Sequence, residues 1–288
     1  MKTIIINSSN YVQGSGNQYS IAFPGNGVKF NSGDKIAVAG IAVYNSTFNI
    51  TTARGNNKFS VIWNAATPVT YTFTFPDGYY SASDMNAFIQ QQCILNGLYM
   101  TTNNGSTYVY FVEITTNAVR YAISLNVYPI PTAAQATTLG YSLPSGATWS
   151  PPTAAQCPQV VINAAFGALI GQPALTIPST ISSAAVQTIS SITPVISPVD
   201  SYILCCNLLN SRLTIPVDVL YSLPISVSLG QLLSVNPSQF LFNDIDPNTY
   251  SQITISFYDQ LFNKLLMNDR DVVITLAIMY ATEGKSSM

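Results

Sequence analysis

Thr70-Tyr71-Thr72-Phe73-Thr74-Phe75 alternates hydroxyl and aromatic side chains one for one. Successive side chains of an extended chain point to opposite faces, so three rings line one side and three hydroxyls the other, the pattern of a strand half-buried against a core. Pro76-Asp77-Gly78 then turns the chain. Just beyond, Ser81 and Asp84 have S-x-x-D capping spacing, and Met85, Phe88, Ile89 and Cys93 recur at helical intervals before Asn96-Gly97 offers a left-handed stop. The stretch predicts a strand, a turn and a helix over 82–95 whose apolar stripe lies on a sheet or closes the end of a sandwich.

Working outward, period-two or β-branched runs occur at Lys2 to Ile6, Tyr19 to Phe23, Lys35 to Tyr44, Lys58 to Trp63, Tyr108 to Ile114, Val119 to Val127 and Tyr202 to Leu209. Near the far end, Ile253, Ile255 and Phe257 alternate with Thr254 and Ser256, and Val272 to Tyr280 suits a strand covered on both faces. Turn residues separate the runs: Pro24-Gly25-Asn26-Gly27, Ser32-Gly33-Asp34, Gly55-Asn56-Asn57, Asn103-Asn104-Gly105 and Asp246-Pro247-Asn248. Many short strands with this punctuation predict an all-β, mostly antiparallel sandwich or barrel.

The 288 residues are ample for a proper core. Charged residues make up 8% of them, against about 25% in ordinary soluble proteins, and mean hydropathy is +0.28, so disorder is excluded. Ten Lys and Arg residues, scattered singly, make no basic stripe for nucleic acid or an anionic membrane. The opening MKTIIINSSNYVQ has an apolar run too short for a signal peptide, and Asn163, Gln172 and Pro173 interrupt the best membrane candidate, Val160 to Ile177, which reads as a buried or interface segment.

The middle of the chain stands apart. From Tyr121 through Val199 there is no Asp, Glu, Lys or Arg in 79 residues, ten of them proline. Free surface normally carries charge, whereas interface centres are depleted in it, so this span is expected to face neighbouring subunits. Tyr128, Trp149, Phe166, Leu169, Ile170, Leu175 and Ile177 are its candidate contact residues. The competing reading is a polar surface excursion, and within it Ser179 to Ser191 has no clear period and reads as a loop.

Chemistry is harder to find. Histidine is absent, which removes the usual general base and the commonest metal ligand. Cys93, Cys157, Cys205 and Cys206 form no C-x-x-C pair and read as reduced core thiols. Asp244 with Asp246, and Asp269 with Asp271, flank turns and read as solvated loop acids, without the spacing of a calcium loop. Glu113 has no carboxylate partner in sequence, and G-x-S-x-G and phosphate-binding glycine motifs are missing. No catalytic, metal or cofactor site is assigned. The seventeen tyrosines could stack on sugars, but their spread along strands makes packing the simpler explanation.

Several phrases together resemble the jelly-roll penton and minor capsid proteins of virophages, polinton-like viruses and related large DNA viruses. They are KTIIINSSNYV, YSIAFPGNGVKFNSGDKIAVAGIAVYNSTFNI, FTFPDGYYSASDMNAFIQ at Phe73 to Gln90, FGALIG at Phe166 to Gly171, ISPVDSYILCCNLLNS at Ile196 to Ser211, and ISFYDQLFNKLL followed by DVVITLAI. They recur in order along most of the chain; residues from about Thr132 to Ala165 match only vaguely. The resemblance implies a jelly-roll β-sandwich with one packing helix and a large loop-rich insertion, working by packing in a shell and not as an enzyme. It implies a penton forming homo-pentamers at icosahedral vertices and meeting the major capsid protein in the virion, assembled in host cytoplasm or a viral factory. The alternatives are a minor or cement protein between major capsomers and, from another class, a glycan-binding attachment jelly roll. The expected division is 1–128 for the first part of the roll, 129–199 for the uncharged insertion or interface region, and 200–288 for the completing strands; two fused jelly rolls are the alternative.

Overall fold

The computed structural model describes residues 1–102, 105–210 and 218–281. Its strands in chain order are β1 (Lys2–Asn7), β2 (Gln18–Ala22), β3 (Val28–Lys29), β4 (Lys35–Tyr44), β5 (Lys58–Trp63), β6 (Val69–Thr74), β7 (Met100–Thr102), β8 (Thr107–Val109), β9 (Val112–Asn117), β10 (Ala122–Val127), β11 (Gln159–Ile162), β12 (Leu175–Ile177), β13 (Val186–Ile189), β14 (Ser201–Cys206), β15 (Val219–Pro224), β16 (Leu232–Val235), β17 (Asn243–Asp244), β18 (Thr249–Tyr250), β19 (Gln252–Tyr258) and β20 (Val272–Met279). Helices α1 (Ala82–Leu95), α2 (Ala133–Leu139) and α3 (Ala164–Ile170) lie between them. The chain forms two compact units, one from Met1–Thr47 with Val199–Met288 and one from Phe48–Pro198.

The first unit is a jelly roll. Its eight principal strands pair first with last (β1 with β20), second with seventh (β2 with β19), third with sixth (β4 with β16) and fourth with fifth (β14 with β15), all antiparallel. That is the pairing of one long antiparallel ribbon rolled up. Pairing of β20 with β4 and of β14 with β19 then closes it into two sheets, β1-β20-β4-β16 and β15-β14-β19-β2. Alternation decides which side chains go inward: Ile6, Ile274 and Ile41 lie in register across the first sheet and are buried. Tyr202, Leu204, Ile255 and Phe257 belong to the same core. The whole of the second unit is inserted between the third and fourth strands of this roll.

The second unit stacks a four-stranded sheet, β12-β11-β5-β6, with a three-stranded one, β13-β10-β9, and its pairings do not repeat the rolled order. Phe59, Val61 and Trp63 of β5 share one core with Ile114, Ile123 and Leu125 of the other sheet. Helix α1 begins where the capping spacing predicts: the Ser81 hydroxyl accepts from Asp84 N at 3.2 Å, and Asp84 Oδ2 accepts from Ser81 N at 2.9 Å. Met85, Ile89 and Cys93 are buried, Phe88 stacks on Phe75 at 4.1 Å, and Asn86 Oδ1 accepts from Ile114 N, which ties the helix to β9. At the far end Gly97 takes φ +66°, the left-handed turn a side chain would oppose.

Several expectations need correcting. Tyr108 to Ile114 is two strands, because the chain bends at Tyr110 and Phe111 to bring the Phe111 ring edge-on to Trp63 at 5.8 Å. The next strand starts at Ala122 and not Val119, since Ala118–Arg120 forms a 3-10 turn capped by Asn117, and Tyr121 sits at φ 48°. Ser179 to Ser191 is not a plain loop: β13 pairs with β10 from Val127↔Val186 to Ser124↔Ile189. β20 is fully buried on its inner face, but Val273 and Met279 on the other face are exposed. In space, α1 and β5 to β10 group with Phe48–Pro198, and the roll resumes at Val199. Asn103 and Asn104 of one turn reading, and Ser211 of one phrase, lie outside the described residues.

Candidate functional site

The seven candidate contact residues are not one surface. Asn163 caps α3, accepting from Phe166 N at 2.8 Å and donating to Lys58 O at 2.9 Å, and this turns Phe166, Leu169 and Ile170 inward. Phe166, 1% exposed, stacks on Phe59 with ring centroids 4.9 Å apart and lies 5.8 Å from Phe75. Trp149 meets Trp63 edge to face at 5.1 Å, and its Nε1 donates to Gly97 O at 2.6 Å. Ile177 is buried opposite Val160 in the register of β11 and β12. Trp149, Phe166, Leu169, Ile170 and Ile177 are thus covered by their own unit. Leu175 is half-buried on β12, and Tyr128, 38% exposed, donates its hydroxyl to Glu113 Oε2 at 3.2 Å. Partial burial first, and the Glu113 carboxylate second, push the Tyr128 phenol upward.

Besides Tyr128, the apolar side chains that the ion-free span presents lie outside that set: Tyr121, Leu139, Leu143, Ile181, Ile192 and Val195. Sequence reasoning missed them because hydrophobicity alone does not separate inward from outward residues. One signal was readable. Thr132 and Gln135 form a capping box and Gly140 ends α2 in a left-handed turn, which places Leu139 in the last position of a short helix. Beside α2 runs a groove of about 480 Å³ lined by Pro129, Pro131, Ala134, Gln135, Thr138 and Leu139 among others, with no charged or aromatic side chain among the described residues that line it.

The acids behave as loop residues. Lys35 Nζ lies 3.4 Å from Asp244 Oδ1, and Asp269 Oδ1 accepts from Asp271 N, while Asp271 Oδ1 accepts from Ser8 Oγ. Asp259 is buried, and its oxygens accept from Leu261 N, Asn263 N and Asn263 Nδ2, holding Phe262 at φ 60° in a tight turn. Among the described residues no three His, Cys, Asp or Glu side chains cluster to hold a metal ion. All four cysteines are buried and free; burial pushes Cys93, Cys205 and Cys206 up to about 12 and Cys157 to about 11, so they stay protonated at neutral pH. None of the described helices is long and apolar enough to cross a membrane.

No protein-family model matches the chain. No curated protein matches it either. Solved structures do. The mavirus penton protein is similar over 96% of this chain and 98% of its own, at 11% identity and a TM-score of 0.40. A chain of the Sputnik virophage, solved by cryo-EM, is similar over 97% of this chain and 98% of its own, at 12% identity and a TM-score of 0.36.

Proposed function

We propose that this chain is a structural component of a viral capsid, held in the virion by contacts with other shell subunits. The observation that carries the reading is the surface of residues 121–199: no Asp, Glu, Lys or Arg occurs there, yet Tyr121, Leu139, Ile181, Ile192 and Val195 stand exposed. A surface that stays in water normally mixes charges of both signs. One that neighbours cover gains from their absence, because apolar area leaves water without any unpaired ion being buried. Jelly rolls serve shells and lectins alike, so the surface and not the fold distinguishes them.

The finer reading is a penton, five copies closing a ring in which one patch of each copy meets a different patch of the next. The resemblance of the ordered phrases to those of jelly-roll pentons supports it, and a minor or cement protein between major capsomers is the alternative. Mass measurement of the purified protein separates the two: a five-copy ring supports the penton, and a lone chain that joins only other capsomers supports the cement role. Hydroxyl-radical footprinting of intact particles tests the broader reading. Tyr121, Leu139 and Ile181 should be protected in the particle and reactive in the free chain; equal reactivity in both states refutes it.

A further inference from the structure

We infer that strand β6 is a strand-addition site whose occupant is the β6 of a second copy, the two running antiparallel about Thr72. Among the described residues β6 ends its sheet, pairing with β5 and with nothing on its other side. Phe75 N donates to Asn57 O at 2.7 Å on the β5 side, so by the two-residue period Phe73, Tyr71 and Val69 also turn their main-chain groups toward β5. Thr70, Thr72 and Thr74 then aim theirs outward, and all three residues are exposed.

Long, flat edges invite pairing, and proteins usually blunt them with charge, proline, bulges or shortness. Three of the other edges are blunted: β12 is three residues long and runs into Pro178, β15 ends on Pro224 and pairs with β14 through a bulge, and β9 carries Glu113. β6 has no charge, proline or bulge within its own length, Pro68 and Pro76 lying just outside it. It is six residues long, Val-Thr-Tyr-Thr-Phe-Thr, in unbroken register with β5.

The sequence of the edge selects its own image as partner. An antiparallel copy centred on Thr72 sets Thr72 against Thr72, Thr70 against Thr74 and Tyr71 against Phe73. Hydroxyl then meets hydroxyl on one face and ring meets ring on the other, both stabilising cross-strand pairs, and no like charges oppose. The same centring brings the outward main-chain groups of both copies face to face. A slip of one residue would set threonine against rings on the wrong face.

This inference goes beyond the capsid reading and does not depend on it. Sedimentation velocity over a concentration series should show the mass doubling, from one chain to two or from one ring to a pair of rings. Amide hydrogen exchange at residues 70, 72 and 74 should slow in the doubled species and in no smaller one. Thr72→Glu and Thr72→Lys should each abolish doubling by placing like charges at the two-fold, with the unfolding curve of the single chain unchanged, and an equimolar mixture of the two variants should restore it. The inference is overturned if the unmodified protein never doubles, if those amides exchange equally fast before and after doubling, or if the mixed variants stay apart. A chain that doubles in this way but is absent from particles would refute the capsid proposal alone.

Discussion

Replacing Phe166 with alanine separates two roles that the sequence alone leaves equal, contact with a neighbouring subunit and internal packing. The structure assigns it to packing: the ring is buried, stacked on Phe59 at 4.9 Å and against Phe75 at 5.8 Å. Burial losses for Phe→Ala run to about 3–5 kcal/mol, cavity included. Because two ring neighbours lose their partner together, we expect a value of about 4 kcal/mol, toward the middle of that range and a large fraction of the roughly 5–15 kcal/mol that holds an ordinary domain. The readout is specific, since both tryptophans, Trp63 and Trp149, lie in the unit Phe48–Pro198 and contact each other there. With a urea dependence of about 2 kcal/mol per molar, the fluorescence midpoint should fall by about 2 M. Tyr128→Ala, at an exposed site, should move it by no more than about 0.3 M. A Phe166→Ala protein that keeps its midpoint but loses association with other subunits would refute the packing assignment and return Phe166 to the contact surface.

Other outcomes follow from the same structure. Ser81→Ala removes the α1 cap and should cost about 1 kcal/mol in the same fluorescence assay. The Ser81 hydroxyl, and then its N–H, hold the Asp84 carboxyl below the ordinary carboxylate range, so this contribution is present above that range and disappears as pH falls through the depressed value. Asp84→Asn should remove that acid-side dependence, and an unaltered pH profile would contradict the cap. Gly167→Ala places a Cβ 2.4 Å from the Gln172 carbonyl oxygen, so the α3 turn must shift; a loss of about 1–3 kcal/mol is expected, and a neutral substitution would argue against so close an approach of Gln172 to α3. Thiol reagents should label the four cysteines at neutral pH no faster than the chain unfolds; rapid labelling of the native protein would show that the sites are open.

Local readings succeeded where the controlling interactions are themselves local. The spacing of Ser81, Asp84, Met85, Ile89 and Gly97 is enough to define α1, because a cap, a 3.6-residue stripe and a left-handed stop all act within a few residues. Lys35–Tyr44 and Lys58–Trp63 likewise match their strands from end to end. Readings failed where a distant element overrides propensity. Ser179 to Ser191 lacks a period of its own, yet Val186–Ile189 becomes a strand because β10 offers it an unpaired edge.

The chain itself, read without coordinates, was sufficient for the strand-rich character, the capped helix, the lack of histidine chemistry and the ion-free span, since each depends on residue type and near-neighbour spacing. Tertiary structure alone decided that Ile6 faces Ile274 across the first sheet, that the second unit enters between the third and fourth strands of the roll, and that Phe166 and Trp149 face inward while Tyr121 and Leu139 do not. Strand pairing joins residues far apart in sequence, and an apolar side chain carries no mark of whether its own fold or a neighbour will remove it from water.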